Sequence, residues 1–185
     1  MPAALSLPRI STNVRFAAST LLFPELAGAW AERLFLTPPR NGAAAAALDL
    51  IDARSSLFEH KGRHIATWRW GSRDAPAVIL AHGWGGYAAQ MRAFVFPLLS
   101  AGYQVIAYDQ PAHGVSEGRL TGLPDFADLV AELVWHHGDA RAFIGHSLGG
   151  AAGALALASG RVRFEKVVLV SPPADLVGYS RRFAR

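Results

Sequence analysis

Four short apolar runs, separated by stretches with helical periodicity, constrain this chain more than any other feature. Ala77-Val-Ile-Leu-Ala81, Gln104-Val-Ile-Ala-Tyr108, Ala142-Phe-Ile-Gly145 and Lys166-Val-Val-Leu-Val170 show almost no polar alternation. Runs of that kind are expected of strands covered on both faces. Between them, Ala88 to Ser100 ends at Gly102, Asp125 to His137 ends at Gly138, and Ala151 to Ser159 ends at Gly160. In the second stretch Phe126, Leu129, Val130, Leu133 and Val134 share one helical face, and a glycine just past the last periodic residue is a helix stop. A further pair of segments, Leu57–Arg63 and His64–Trp70, predicts a hairpin turning at Lys61-Gly62. Strands alternating with helices of this length predict an α/β fold: a mainly parallel sheet of about six strands, flanked by helices on both faces.

Residues 1–55 have another texture and are read as a helical N-terminal extension to a main domain over residues 56–185. A helix from Thr12 to Leu36, a break at Thr37-Pro-Pro-Arg-Asn-Gly42 and a second helix from Ala43 to Ala53 are expected there. Phe16, Phe23, Trp30 and Phe35 need cover, so the extension is expected to pack on the main domain, the alternative being a lipid or substrate surface. The most apolar early stretch, Val14 to Leu36, carries Arg15, Glu25, Glu32 and Arg33, too much charge for a bilayer span. The first nine residues lack the basic-then-apolar order of a secretory leader. The expectation is a soluble, cytoplasmic protein. Its 185 residues include no cysteine, which excludes disulfides, thiolate chemistry and cysteine-based zinc or iron–sulfur sites. The net charge of +4 comes from arginines scattered along the chain, without the clustered, aromatic-interleaved basic stripe of a nucleic-acid surface. No nucleic-acid partner is expected.

The chemistry-bearing residues lie at strand ends. Gly145-His-Ser-Leu-Gly-Gly150 falls between an expected strand and an expected helix. Ser147 there would occupy a tight strand-to-helix turn with its hydroxyl lifted above the sheet. Gly145 and Gly149 are required because a Cβ at either would collide with the neighbouring strand or helix. The Leu148 N–H, at a helix N-terminus, points where an oxyanion would form. His82-Gly-Trp-Gly-Gly86 follows directly on Ala77–Ala81. Its turn, with Gly83 and Gly85, could aim the Trp84 N–H at the same oxygen; alone it reads equally as a plain loop with a structural histidine. In Tyr108-Asp-Gln-Pro-Ala-His-Gly-Val-Ser116, the residues Asp109, His113 and Ser116 are expected to hold a turn by hydrogen bonds.

In register, these three motifs resemble the α/β-hydrolase superfamily, in its serine esterase and lipase-like branch. The resemblance spans about residues 57–175. Ala112 stands where that family usually has glycine, a change expected to cost little. The resemblance implies Ser147 as nucleophile, the Trp84 and Leu148 amides as oxyanion donors, and Trp84 with Tyr87 beside an acyl pocket. It implies a small-molecule carboxylic ester as substrate, lipid or monoglyceride-like, with no metal and no organic cofactor. Serine at this turn, in place of aspartate, argues against haloalkane-dehalogenase or epoxide-hydrolase chemistry.

An activated serine needs a base and an acid that orients it. In that family both follow the nucleophile. Here all seven histidines precede Ser147, and only Glu165 and Asp175 are carboxylates beyond it. His146 is expected to be packed into the structure, and His136 and His137 to be solvated cations capping a last helical turn. His82 and His113 are the nearest candidates for an improvised base. The family's sheet has eight strands against about six here. The expectation is therefore the amino-terminal portion of a hydrolase, a truncated α/β-hydrolase fold that is inactive alone. Its strand at Val167–Val170 would be an exposed edge open to self-association. The rival expectation is a catalytically dead domain that binds a ligand or partner through the same pocket.

Overall fold

The hairpin forms where two successive residues take positive φ. In the computed structural model, which describes residues 20, 22–40, 50, 52–138 and 140–175, Lys61 (φ +49°) and Gly62 (φ +71°) join β1 (Arg54–His60) to β2 (Arg63–Trp70). That pair of conformations matches the right-handed twist of the flanking strands. The four apolar runs become β3 (Ala77–Ala81), β4 (Gln104–Tyr108), β5 (Ala140–His146) and β6 (Lys166–Val170). They line up in the order β1-β2-β4-β3-β5-β6. β4, β3, β5 and β6 run parallel, while β2 joins β4 and β1 antiparallel.

Successive residues of the central strands feed opposite layers, as a pleated strand requires. Val78, Leu80, Val105 and Ala107 pack with Met91 and Val95 on one face. Ile79, Ala81 and Phe143 pack with Phe126, Leu129, Leu133, Ala152 and Ala156 on the other. Every residue of β3 and β4 is buried. Each large aliphatic side chain removed from water there contributes up to about 2 kcal/mol.

The helices follow the expected order with informative differences. Ala88–Phe94 winds as a 3₁₀ segment and only Val95–Ser100 (α2) is α-helical. Pro97 explains this: with no N–H it cannot donate to residue 93, so an α-helix starts only with Pro97 in its first turn. α3 (Leu123–His137) begins with Pro124 in its first turn and ends at Gly138 (φ +65°). α4 (Leu148–Ala158) starts directly after Ser147.

The chain divides into two compact units, Met1–Thr37 and Pro38–Arg185. In the first, α1 spans Pro24–Phe35, with Glu25 in its first turn and Arg33 in its last, both favourable to the helix dipole. The longer helix expected from Thr12 is interrupted at Phe23, which has non-helical backbone (φ −145°, ψ 70°), because the Pro24 ring disfavours α conformation in the preceding residue. Leu22, Phe23, Leu26, Leu34 and Phe35 are exposed. Residues 12–19 and most of the helix expected at Ala43–Ala53 lie outside the described residues. Leu50 and Ala53 close a turn through a 3.0 Å hydrogen bond and are not helical. No helix among the described residues is long and apolar enough to cross a membrane.

Candidate active site

β4 and β6 lie on opposite sides of the β3–β5 pair, so the connections leaving β3 and β5 diverge at the carboxyl ends of those two strands. Ligands of open α/β sheets bind at such a divergence. Ser147 stands at the end of β5 with φ +49° and ψ −124°, a conformation sparsely populated by residues with a Cβ. Its N–H donates to Val170 O at 2.9 Å, and its carbonyl accepts from Ala151 N in the first turn of α4 at 3.1 Å. Close packing forces this bend. A Cβ on Gly149 would collide with His82 O and come within 2.8 Å of Ala81 O. A Cβ on Gly145 would lie 2.6 Å from Gly150 Cα.

The loop after β3 meets this bend. Gly83 has no room for a Cβ, which would sit 2.9 Å from Ser147 Cβ. Gly86 N donates to Gly83 O at 3.1 Å, closing a turn whose second central residue, Gly85, has φ +68°. Trp84 is the first central residue of that turn. Within the described residues no hydrogen bond uses the Trp84 N–H or the Leu148 N–H. Trp84, Tyr87, Ser147 and Leu148 are all half-buried. Ser147 Oγ caps no helix, and no described side chain hydrogen-bonds to it.

His82 lies beneath the loop with both ring nitrogens engaged. Nδ1–H donates to Gly83 O at 2.7 Å, and Nε2 accepts from Gln110 N at 2.9 Å. Burial pushes its pKa down to about 3. A neutral ring with no free lone pair is a structural pin and cannot serve as a base. His113, also buried, donates from Nδ1 to Pro111 O at 2.9 Å. Its Nε2 has no hydrogen-bond partner, and burial lowers its pKa. The ring is wedged 5.2 Å from Trp84 and 5.3 Å from Phe126, which supports the loop from below.

Asp109 and Ser116 tie the turn as expected. Asp109 Oδ1 accepts from Ala88 N at 2.7 Å, Oδ2 from Val115 N at 2.9 Å, and Ser116 Oγ donates to Asp109 O at 2.8 Å. Burial pushes the Asp109 pKa up to about 6. Three expectations are corrected. Ala112 is buried at φ +63°, a left-handed conformation costing a residue with a Cβ about 1–2 kcal/mol, so its replacement of glycine is not free. His146, the last residue of β5, is exposed, although its Nδ1 and carbonyl lie 3.3 Å from where a Gly83 Cβ would stand. His137 is half-buried with its pKa pushed down to about 4, chiefly by burial and then by His136, Arg69 and Arg73; it is neutral, not a capping cation.

Two features escaped the sequence. His60, fully buried, places Nδ1 2.7 Å from Glu132 Oε2 and Nε2 3.2 Å from Asp125 Oδ1, on a helix more than sixty residues away. Arg40, in the Pro-Pro-Arg break, hydrogen-bonds to the carbonyls of Ala112, Ser116 and Gly118. Neither pairing leaves a periodic signal in the sequence; Arg63 and Lys61 at the hairpin turn meet Asp125 and Asp128 only in the folded chain. Among the described residues no cluster of three or more His, Asp or Glu is placed to hold a metal ion.

Residues 76–184 match the family of proteins with an alpha/beta hydrolase fold. The chain belongs to the α/β-hydrolase fold family. Among curated relatives of this hydrolase-fold chain, the Serine hydrolase-like protein of Homo sapiens is 30% identical over 122 residues, covering 62% of this chain and 58% of that protein. The Monoglyceride lipase of Rattus norvegicus is 27% identical over 126 residues, covering 63% of this chain and 42% of that protein. Among solved structures, the thioesterase domain from the curacin biosynthetic pathway superposes with a TM-score of 0.61 at 22% identity, over 71% of this chain and 52% of that one. The epoxide hydrolase CorEH does so with a TM-score of 0.58 at 29% identity, over 68% and 44%. The hydrolase-fold chain thus spans little more than half, or less, of the length of these relatives.

Proposed function

We propose that this hydrolase-fold chain carries the nucleophile and oxyanion site of a serine hydrolase acting on carboxylic esters, including lipid or monoglyceride-like esters. The observation that carries this reading is Ser147 on a positive-φ bend, next to a glycine loop and a helix start whose Trp84 and Leu148 amides have no hydrogen-bond partner among the described residues. Ser147 Oγ attacks the acyl carbon while its proton passes to a base. The carbonyl oxygen, now negative, accepts hydrogen bonds from the two amides, each donor contributing about 3 kcal/mol to the transition state. Collapse expels the alcohol, which takes the proton from the base. Water then repeats the sequence on the acyl-serine and restores the hydroxyl.

His82, pinned through both ring nitrogens, is not that base. A second reading, a binding domain without catalysis, is favoured by the lack of any described hydrogen bond to Ser147 Oγ. Treatment with a fluorophosphonate, followed by peptide mass spectrometry, separates them. The 185-residue chain should label slowly at Ser147 and faster with added free imidazole, while a polypeptide that also carries a histidine–carboxylate segment should label stoichiometrically. No labelling in any of these conditions overturns the hydrolase reading.

A further inference from the structure

Pro39 and Arg40 reach the two loops that frame Ser147. Pro39 Cγ lies 3.0 Å from where a Gly85 Cβ would stand, so the proline ring sits on the turn that presents Trp84. The Arg40 guanidinium donates from Nε to Ala112 O at 3.2 Å, and from Nη2 to Ser116 O at 2.7 Å and Gly118 O at 3.1 Å. These carbonyls belong to the turn that carries His113, whose ring is wedged against Trp84. Trp84 is thereby bracketed, through Gly85 by Pro39 and through His113 by the turn that Arg40 grips.

Arg40 is not needed to attach that turn to the sheet. Its inner side is tied by Ser116 Oγ, which accepts from Ala66 N at 2.9 Å, and by the Asp109 carboxylate, which accepts from Ala88 N at 2.7 Å and Val115 N at 2.9 Å. The carbonyls that Arg40 holds belong to Ala112 and Ser116, each 1% exposed, and to the half-buried Gly118, and a carbonyl withdrawn from water needs such a partner. A planar fork reaching three oxygens also defines their mutual spacing. It also leaves a positive charge that joins burial in keeping His113 neutral.

We propose that Arg40 is a positioning residue: its guanidinium fixes the Ala112–Gly118 turn so that His113 and Pro39 together hold the Trp84 amide toward Ser147. This rests on the reading of Trp84 as an oxyanion donor. The test is R40A in the full chain, read by amide exchange and by fluorophosphonate kinetics. Exchange at Trp84–Tyr87 and His113–Gly118 should accelerate by about 10-fold while β3 and β4 are unchanged. The maximal labelling rate should fall by about 10-fold with the half-saturating probe concentration unchanged, a split that simple loss of stability does not produce. Free guanidinium at about 20 mM should restore both, and ammonium should not. Unaltered exchange at Trp84–Tyr87, or acceleration spread evenly through β3 and β4, overturns the proposal. A wild-type chain that fails to label counts against the reading of Ser147 and leaves the exchange result to decide the role of Arg40.

Discussion

Ser147 trades stability for placement. At φ +49° its Cβ crowds the backbone, at a cost of about 1 kcal/mol that glycine would avoid. S147G should therefore be more stable than S147A by about 1 kcal/mol in urea denaturation, although both lose the hydroxyl and all labelling. A similar tension holds at Asp109. Its carboxyl, 1% exposed, has a pKa of about 6 against an ordinary 3.8, so in that window the folded state holds more proton than the unfolded one. Stability from this group is full below about pH 4 and is lost as the pH rises through 6, by about 3 kcal/mol in all. The difference in unfolding free energy between wild type and D109N should fall from pH 4 to pH 7, and a flat difference would contradict the burial argument. Both residues were legible as members of motifs. The strain and the displaced proton affinity were not, because each depends on neighbours brought in from other strands.

At the level of elements, legibility followed the source of the forces. β3, β4 and β6 match their apolar runs to the residue, and in β3 and β4 burial on both faces leaves no freedom at the ends. The helix expected at Ala88–Ser100 became a 3₁₀ segment plus a short α-helix, because one proline outweighed the general apolar pattern. The clamp between the hairpin and α3 could not be read in advance. Arg63 grips Asp125 with two hydrogen bonds, at 2.8 and 2.7 Å, while His60 and Thr121 add others. Burial opposes the Asp125 charge, yet the hydrogen bonds from His60 and Arg63 and the Arg63 charge hold its carboxyl well below the usual range. D125N should destabilise the protein by about 2 kcal/mol at pH 7. Because this pKa is depressed, its contribution is present above the unfolded carboxylate value near 4 and fades as the pH falls further. Thermal unfolding of wild type and D125N should therefore converge in acid.

Across the molecule, the sheet is unevenly protected. β3 is flanked by β4 and β5, whereas β6 pairs only with β5 among the described strands. Val168 and Leu169 on β6 are 47% and 39% exposed, and such an edge invites further strand pairing. Sedimentation velocity should show association that grows with concentration, and V168K should reduce it without lowering the unfolding midpoint. The order of the strands was open in the sequence, but their parallel sense and the side where the motifs gather were not: each motif directly follows an apolar run. β6 has one more role through the hydrogen bond from Ser147 N to Val170 O. The bend that carries Ser147 is moored to an outer ribbon of the sheet, so a neighbour laid along that rim would tilt it. Variants of altered reactivity are therefore to be sought at this margin as well as around the tryptophan.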